Sequence, residues 1–275
     1  MADELTNDAK RRRNAKRRLL VYGSLVGLLW GFYVWQPWEY DFIPRHAPVP
    51  NPGVDPDTKT LFSPKANILV VTAHPDDAEF YIAGSLLKLS AAGAHIHLIV
   101  CTSGDKGYYM IEDAAKNREV REAEQREAAS HYKASEVIFL HHPDGRLRAN
   151  DELIGQLRDE IKRIKPNYIL CFDGDYPPRM SHQDHRRAGD ATFAAAKQVG
   201  GPCWVMRFQT IAANYVIDIS DLWDQKADML KIHKSQFHGE RLEGVTGMVQ
   251  QSAADDGEKV GTTFGEGFDV SRIGR

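Results

Sequence analysis

Residues 67–79 read NILVVTAHPDDAE, an apolar run followed at once by a histidine, a proline and two adjacent aspartates. The first seven residues have the composition of a buried strand. The two carboxylates therefore stand where that strand should end. Aspartates at a helix N-terminus can accept hydrogen bonds from free backbone N–H groups, but this would need only one of the pair. The alternative is a metal site, and the rest of the chain has to decide between the two.

Short apolar segments and segments of helical periodicity alternate from residue 67 onward. The predicted strands are 67–73, 95–102, 137–140, 168–172 and 214–220, and the predicted helices are 78–92, 113–132, 151–164, 184–198 and 221–234. This alternation predicts an α/β, Rossmann-like fold with a mostly parallel sheet and helices on both faces. Ligands of such sheets bind outside the carboxyl ends of the strands. The glycine-rich residues 239–275 predict only a final strand, around 261–268.

A second polar cluster, SHQDHRRAG at 181–189, follows the fourth predicted strand and a short loop. Ser181 and Asp184 have the S-x-x-D spacing of a capping box, which predicts that a helix begins here. His182 and His185 are then three residues apart, on neighbouring faces of the first turn. Together with the 74–77 segment, this cluster places three histidines and three aspartates at one end of one sheet.

Two histidines and one carboxylate are a donor set that suits catalytic zinc, which takes three protein ligands and leaves one position for water. The side chains of adjacent residues diverge, so one aspartate of the pair could bind the metal while the other accepts a proton from the water. The aspartate doublet is thereby explained: one carboxylate for the metal and one for the proton.

Five short segments together resemble the LmbE/PIG-L family of zinc-dependent deacetylases, which act on N-acetylglucosaminyl compounds. These are HPDDAE at 74–79, PDG at 143–145, SHQDH at 181–185, HKSQF at 233–237 and GEGF at 265–268. The resemblance runs from about residue 67 to residue 270. HPDD followed at a distance by HxDH is the specific part of it. Two departures, Ala78 before the glutamate and Gln183 in place of a proline, remove no ligand but leave the substrate subgroup open.

The resemblance implies a role for eight residues, each by its position in these motifs. It implies that zinc is bound by His74, Asp77 and His185, that Asp76 is the general base, that His182 polarises the amide oxygen or stabilises the tetrahedral intermediate, that Asp184 orients His182, and that Arg121 and Asp144 contact the substrate.

Several of these residues also have a plain structural interpretation. Arg121 lies in a highly charged helical segment, where a solvated face explains an arginine equally well. Asp144 could be the turn residue of Pro-Asp-Gly. A substrate role for His233 is possible, because HKSQF resembles a segment at the rim of the family's active site.

Two further segments are predicted to be loops. Cys203 lies in GGPCW, which predicts a loop. TSGDKG at 102–107 predicts an active-site loop rather than a nucleotide site.

The N-terminal region predicts a membrane anchor. Residues 10–18 hold seven basic side chains and no acid, and residues 19–35 carry no charge. As a helix, the uncharged run would be about 25 Å long, at the short end of a membrane span. The basic residues predict a cytoplasmic tail at 1–18 and a catalytic domain on the other side of the membrane. Residues 36–66 hold seven of the 13 prolines, which indicates a semi-rigid linker to a domain at 67–275.

Composition limits the classes of partner. The net charge is −3, and the chain beyond the basic tail has more acidic than basic side chains, which argues against nucleic acid. We therefore expect a membrane-anchored hydrolase that removes acetyl from an N-acetylated amino sugar, with Zn²⁺ or Fe²⁺ in its site. An amidase for another amide and a non-catalytic, tethered glycan-binding protein are the alternatives. The sequence does not indicate an oligomeric state.

Overall fold

The computed structural model describes residues 65–107, 111, 113–177, 180–201 and 203–274. The basic tail 1–18, the predicted anchor 19–35 and all but the last two residues of the linker 36–66 lie outside these ranges, so they stay predictions. Among the described residues, no helix combines the length and the apolar character needed to cross a membrane.

Seven strands and six α-helices are formed by the described residues. The strands are β1 (Asn67–Thr72), β2 (His95–Thr102), β3 (Glu136–His142), β4 (Tyr168–Phe172), β5 (Cys203–Phe208), β6 (Tyr215–Asp218) and β7 (Gly265–Ile273). The helices are α1 (Asp77–Ala91), α2 (Ala114–His131), α3 (Asp151–Ile164), α4 (Gln183–Val199), α5 (Trp223–Leu230) and α6 (Gly239–Glu258).

The strands form one sheet in the order β3-β2-β1-β4-β5-β7-β6. The first five are parallel, and β7 runs antiparallel to both of its neighbours. The predicted mostly parallel α/β sheet is therefore confirmed. Because crossover connections are right-handed, α1 and α2 lie on one face of the sheet and α3 and α4 on the other.

The two central strands, β1 and β4, define where the site lies. Their apolar side chains are buried on both faces, which is why both segments read as continuous apolar runs rather than alternating ones. The chain leaves β1 toward β2 on one side and resumes from β4 toward β5 on the other. This reversal of direction opens a crevice at the carboxyl ends of the two strands.

The structure corrects the prediction for Cys203. The sequence predicts a loop at GGPCW, whereas Cys203 is buried and begins β5. The glycines and the proline before the strand led to the prediction of a loop, since both residue types usually mark turns. Cys101 and Cys171 are likewise buried, each within a strand.

The C-terminal third differs most from its prediction. The helix expected at 221–234 is shorter: a 3₁₀ turn at Ser220–Leu222 leads into α5, which ends at Leu230. Helix α6, 20 residues long, was not predicted, because its glycines lower helix propensity. Its buried face is a single stripe of small and branched residues: Val245, Val249, Ala253 and Gly257.

The GEGF segment anchors α1, the helix that follows the HPDD motif. Ile82 has non-helical dihedral angles (φ −135°, ψ 16°), so the helix is kinked there. The Glu266 carboxylate accepts the N–H groups of Gly84 (3.0 Å) and Ser85 (2.7 Å), and the buried Lys226 ammonium donates to it at 2.6 Å. A strand at the far end of the chain thus fixes the orientation of α1 at its kink.

Candidate active site

The predicted site residues converge at the crevice between β1 and β4. A cavity of about 530 Å³ opens there and is lined by residues from the ends of several strands. Of the eight residues that the sequence singles out, seven line this cavity: His74, Asp76, Asp77, Arg121, Asp144, His182 and His185. Asp184 lies behind it and is fully buried. Lys106 and Gly107 also line the cavity, so the TSGDKG segment is an active-site loop, as predicted.

The Asp77 carboxylate does not cap the helix that it begins. Its Oδ2 turns back and accepts the N–H groups of Ala73 (3.0 Å) and His74 (2.8 Å). Its Oδ1 lies 3.1 Å from His185 Nε2. Burial alone would raise the pKa of Asp77, but His185 and His74 hold it well below its usual range. Asp77 is therefore a fixed, ionised carboxylate that offers one oxygen to the cavity.

His185 is oriented by three neighbours. Its ring stacks on Phe172 with centroids 4.1 Å apart and planes 8° apart. Its Nδ1 lies 3.2 Å from Gln209 Oε1, while Gln209 Nε2 donates to the Tyr81 hydroxyl at 2.9 Å. With the amide oriented in this way, Oε1 is the acceptor and His185 Nδ1 carries the hydrogen. The Nε2 lone pair is then free to bind a metal.

Three carboxylates surround the His74 ring. Nε2 lies 3.3 Å from Asp144 Oδ1 and 3.4 Å from Asp184 Oδ2, and Nδ1 lies 3.6 Å from Asp77 Oδ2. Burial works to lower the pKa of His74, but the contacts with these carboxylates hold it well above its usual value. The surroundings of His74 therefore favour positive charge, which a bound cation would also supply.

The ligand atoms of His74, Asp77 and His185 fit a metal ion, since all lie within 4.8 Å of one another. Two ligand atoms of tetrahedral zinc, each bonded at about 2.0–2.2 Å, are separated by roughly 3.3–3.6 Å. The distance from Asp77 Oδ1 to His185 Nε2 is 3.1 Å, close to this range.

A second possible ligand group combines His74 with His182 and Asp184. It is less suited to a metal, because the Asp184 carboxylate already accepts the N–H groups of Gly145 (2.6 Å) and Leu147 (3.1 Å). The predicted set of His74, Asp77 and His185 is therefore the better metal site, and Asp184 tethers the 145–147 loop.

Asp76 stands apart from this donor set. Its Oδ2 accepts a hydrogen bond from Arg121 Nη2 at 2.9 Å. Burial is the main cause that raises the pKa of Asp76, with Asp77 adding to the rise and Arg121 opposing it. The side chains of the two aspartates therefore diverge, as the sequence predicts: Asp77 faces His74 and His185, and Asp76 is held by Arg121.

The sequence predicts Ser181 as the N-cap of α4, but His182 occupies that position. It is the N-cap of α4, and its Nδ1 accepts the N–H of Asp184 at 3.2 Å. The capping-box prediction is therefore wrong: the Asp184 side chain turns away, and only its backbone orients His182. Burial lowers the pKa of His182. Because Nδ1 accepts this N–H, the neutral ring carries its hydrogen on Nε2 and can donate it.

Arg121 and Asp144 line the cavity but are committed to protein partners. Arg121 is buried and donates to the carbonyl oxygens of Gly104 (2.5 Å) and Pro75 (2.6 Å), in addition to Asp76. A solvated face is therefore not its explanation. The Asp144 carboxylate accepts the N–H of Lys106 at 2.8 Å. His74 lowers the pKa of Asp144 to about 2, although burial opposes this. Their substrate contacts stay predictions.

The sequence missed several supporting residues, of which Gln209 and Gln125 are the most important. Gln209 follows β5, the strand that was not predicted, so nothing placed it near the site. Gln125 lies in α2, where its position one turn after Arg121 was the only signal. His233, for which a substrate role was possible, is buried and contacts Glu79 instead.

We expect Gln209→Leu to weaken metal binding about 10- to 100-fold, because removing a group that orients a histidine ligand has effects of this size. Metal affinity measured by competition with a chromophoric chelator checks this. Ser181→Ala is the matched control, since the Ser181 hydroxyl donates to the same Gln209 Oε1 at 3.1 Å but contacts no ligand. An unchanged affinity in Gln209→Leu would show that Gln209 is not needed to orient His185.

Known proteins are similar to this chain in both sequence and fold. Residues 69–196 match the family model described as PIG-L: GlcNAc-PI de-N-acetylase. Diacetylchitobiose deacetylase from Thermococcus kodakarensis is 24% identical over 224 residues, 75% of this chain and 84% of that protein. The uncharacterized deacetylase YaiS from Escherichia coli is 31% identical over 143 residues, 49% of this chain and 70% of that protein.

A solved structure supports the fold independently. N,N'-diacetylchitobiose deacetylase from Pyrococcus horikoshii superimposes with a TM-score of 0.73, covering 86% of this chain and 92% of that one at 23% identity. The segments that carry the resemblance, HPDD after β1 and HQDH at the start of α4, lie within the residues that match the family model. The chain belongs to the LmbE/PIG-L family of deacetylases.

Proposed function

We propose that the chain is a metal-dependent hydrolase that removes the N-acetyl group from an N-acetylglucosaminyl glycan or glycolipid. The observation that supports this most is the arrangement of His74, Asp77 and His185 as a donor set with Asp76 held separately beside it. The family description and the name of the Thermococcus relative both refer to compounds of N-acetylglucosamine.

Zinc suits the donor set of two imidazoles and one carboxylate, and ferrous iron is the alternative. When bound by His74, Asp77 and His185, the metal supplies Lewis-acid polarisation and an acidified water. A binding protein would not need a carboxylate such as Asp76 placed next to the ligands. This favours an enzyme over a tethered glycan-binding module.

The protein's own groups account for the proton transfers. Asp76 accepts a proton as the water oxygen attacks the amide carbonyl, and Arg121 orients the Asp76 carboxylate for this step. His182 donates from Nε2 to the oxygen that becomes negative in the tetrahedral intermediate. The C–N bond then breaks, and Asp76 or His182 delivers a proton to the nitrogen. The products are acetate and the free amino sugar.

The test of this proposal is amine release by the purified full-length chain from a panel of N-acetylglucosaminyl compounds. The panel contains a chitin disaccharide, an inositol glycoside and a glycolipid, and an N-acetylated amine without a sugar is assayed beside them. Each compound is tested after chelation and again after addition of Zn²⁺ or Fe²⁺. We expect release that disappears on chelation and returns with one of the two metals. Release only from N-acetyl compounds without a sugar would favour an amidase for another amide, and metal binding without any release would favour the tethered binding protein.

For localisation, we propose a single-pass membrane protein with residues 1–18 in the cytoplasm and the catalytic domain outside it. The support is the uncharged run 19–35 directly after the basic cluster. In membrane vesicles of defined orientation, protease added from the extracytoplasmic side should digest the domain and leave an epitope on the N-terminal tail intact. Release of the full-length chain into the supernatant when the membranes are washed at alkaline pH would refute the anchor.

A further inference from the structure

Glu79 is a fully buried carboxylate two residues beyond Asp77, and the proposed chemistry does not use it. It accepts hydrogen bonds from Gln125 Nε2 (3.0 and 3.1 Å), from the Tyr132 hydroxyl (3.1 Å) and from His233 Nε2 (2.9 Å). A buried carboxylate is costly unless it is paired in this way. Helix α1, helix α2 and the segment after α5 therefore meet at this carboxylate. We call Glu79, Gln125, Tyr132 and His233 the Glu79 network.

One member of the network reaches the proposed general base. Gln125 Oε1 accepts the backbone N–H of Asp76 at 2.8 Å. A backbone N–H can only donate, so the Oε1 end of Gln125 faces Asp76 and the Nε2 end faces the Glu79 carboxylate. Glu79 holds the Nε2 end and thereby keeps the Oε1 end directed at the Asp76 peptide.

The backbone of Asp76 has a conformation that needs such support. Its dihedral angles are φ 100° and ψ −23°, in a region that residues other than glycine rarely adopt. Strained backbone of this kind persists only where surrounding contacts hold it, and it concentrates at functional sites. Gln125 holds the Asp76 peptide, and Arg121 holds its carboxylate at 2.9 Å. Asp76 is thus fixed at both its main chain and its side chain.

The remaining members keep Glu79 in place. His233 is buried, and although burial works to lower its pKa, the contact with Glu79 raises it. Its Nε2 is therefore a donor to Glu79. This gives a structural role to the HKSQF segment, which the sequence associates with the rim of the site. The network lies behind Asp76, because Gln125, Glu79 and His233 are absent from the residues that line the 530 Å³ cavity.

We infer that Gln125, Glu79 and His233 are positioning residues that hold Asp76 in its strained conformation, so that its carboxylate stays aligned for proton transfer. The inference rests on the proposed function, in which Asp76 is the general base. It differs from a purely stabilising role, because the chain of hydrogen bonds ends on the Asp76 peptide and should influence the rate of the chemical step.

The test begins with Gln125→Met in the full-length, metal-loaded chain. This change keeps the side-chain length but removes the hydrogen bonds to the Asp76 peptide and to the Glu79 carboxylate. We expect kcat to fall about 10- to 100-fold, the cost of a small misplacement of a catalytic group, with KM changed by less than about twofold. Metal content should stay that of the unmodified chain. Should Gln125→Met fail to fold, Glu79→Gln replaces it, since an amide at that position no longer dictates the orientation of the Gln125 amide.

Gln251→Met is the matched control, since it makes the same change of residue type at an exposed position of α6. Gln251 donates to Asp255 at 2.8 Å and is not part of the Glu79 network, so kcat should stay within about twofold of the unmodified value. A double variant tests the path itself. Because Gln125 acts through Asp76, adding Gln125→Met to Asp76→Asn should cause no further loss. Additive losses in the double variant, or a fall of kcat in Gln251→Met as large as that in Gln125→Met, would overturn the inference.

Amide hydrogen exchange at Asp76 gives a readout that does not depend on activity. In the unmodified chain this N–H is bonded to Gln125, so Gln125→Met should accelerate its exchange while Gln251→Met leaves it unchanged. If the unmodified chain released no amine from any sugar, the proposed function would fail, and the exchange rates would still decide whether Gln125 holds Asp76. Unchanged exchange in Gln125→Met would overturn the inference by itself.

Discussion

Asp76→Asn should lower kcat for amine release about 10²- to 10⁴-fold, the usual contribution of a positioned general base. The amide has nearly the same shape as the carboxylate and can still accept the hydrogen bond from Arg121, but it cannot take up a proton. Asparagine also tolerates positive φ better than most residues, so the strained backbone at this position is preserved. The measurement is steady-state kinetics on the most active compound of the panel.

Metal content distinguishes the role of Asp76 from that of its neighbour. Because the Asp76 carboxylate is outside the group formed by His74, Asp77 and His185, the variant should retain as much metal as the unmodified chain. Asp224→Asn, at an exposed aspartate in the first turn of α5, is the control for a general effect of lost charge. A variant with near-normal kcat would remove Asp76 as the base, and a variant that loses its metal would instead identify Asp76 as a ligand.

Asp77→Asn should abolish both metal binding and activity. Asp77 supplies the only carboxylate of the three-residue donor set, and its replacement leaves two imidazoles without the negative charge that attracts a cation. We expect a loss of metal affinity larger than the 10- to 100-fold typical of a supporting residue. The measurement is Tm with and without Zn²⁺, since a ligand present at 100 times its dissociation constant stabilises the native state by about 2.7 kcal/mol.

Zinc should therefore raise Tm in the unmodified chain and leave Tm unchanged in Asp77→Asn. Asp144→Asn is the control, because its carboxylate also contacts His74 but lies outside the donor set, and it should keep most of the zinc-induced rise. The predicted ligand set would be wrong if Asp77→Asn kept the rise and Asp144→Asn lost it.

Local sequence patterns were sufficient for the first two thirds of the fold. Strands β1, β2 and β4 and helices α1 to α4 lie within one or two residues of their predicted bounds, because short apolar runs mark the strands and segments with helical character separate them. The same reasoning failed for β5 and α6. Glycine and proline next to β5, and glycine within α6, oppose local propensity, and tertiary packing overrides it in both elements.

The sequence by itself determined the α/β fold class, the succession of its first strands and helices along the chain, and the two motifs that follow β1 and β4. It also predicted the ligand set, because the metal-binding residue types occur at fixed spacing in motifs that resemble a known family. Only the tertiary structure showed which group holds each of these residues in place. Gln209 comes from an unpredicted strand end, Gln125 from a charged helix, and Glu266 from the last strand. Hydrogen bonds between residues 24, 49 and 182 positions apart depend on three-dimensional packing, which no local pattern in the sequence records.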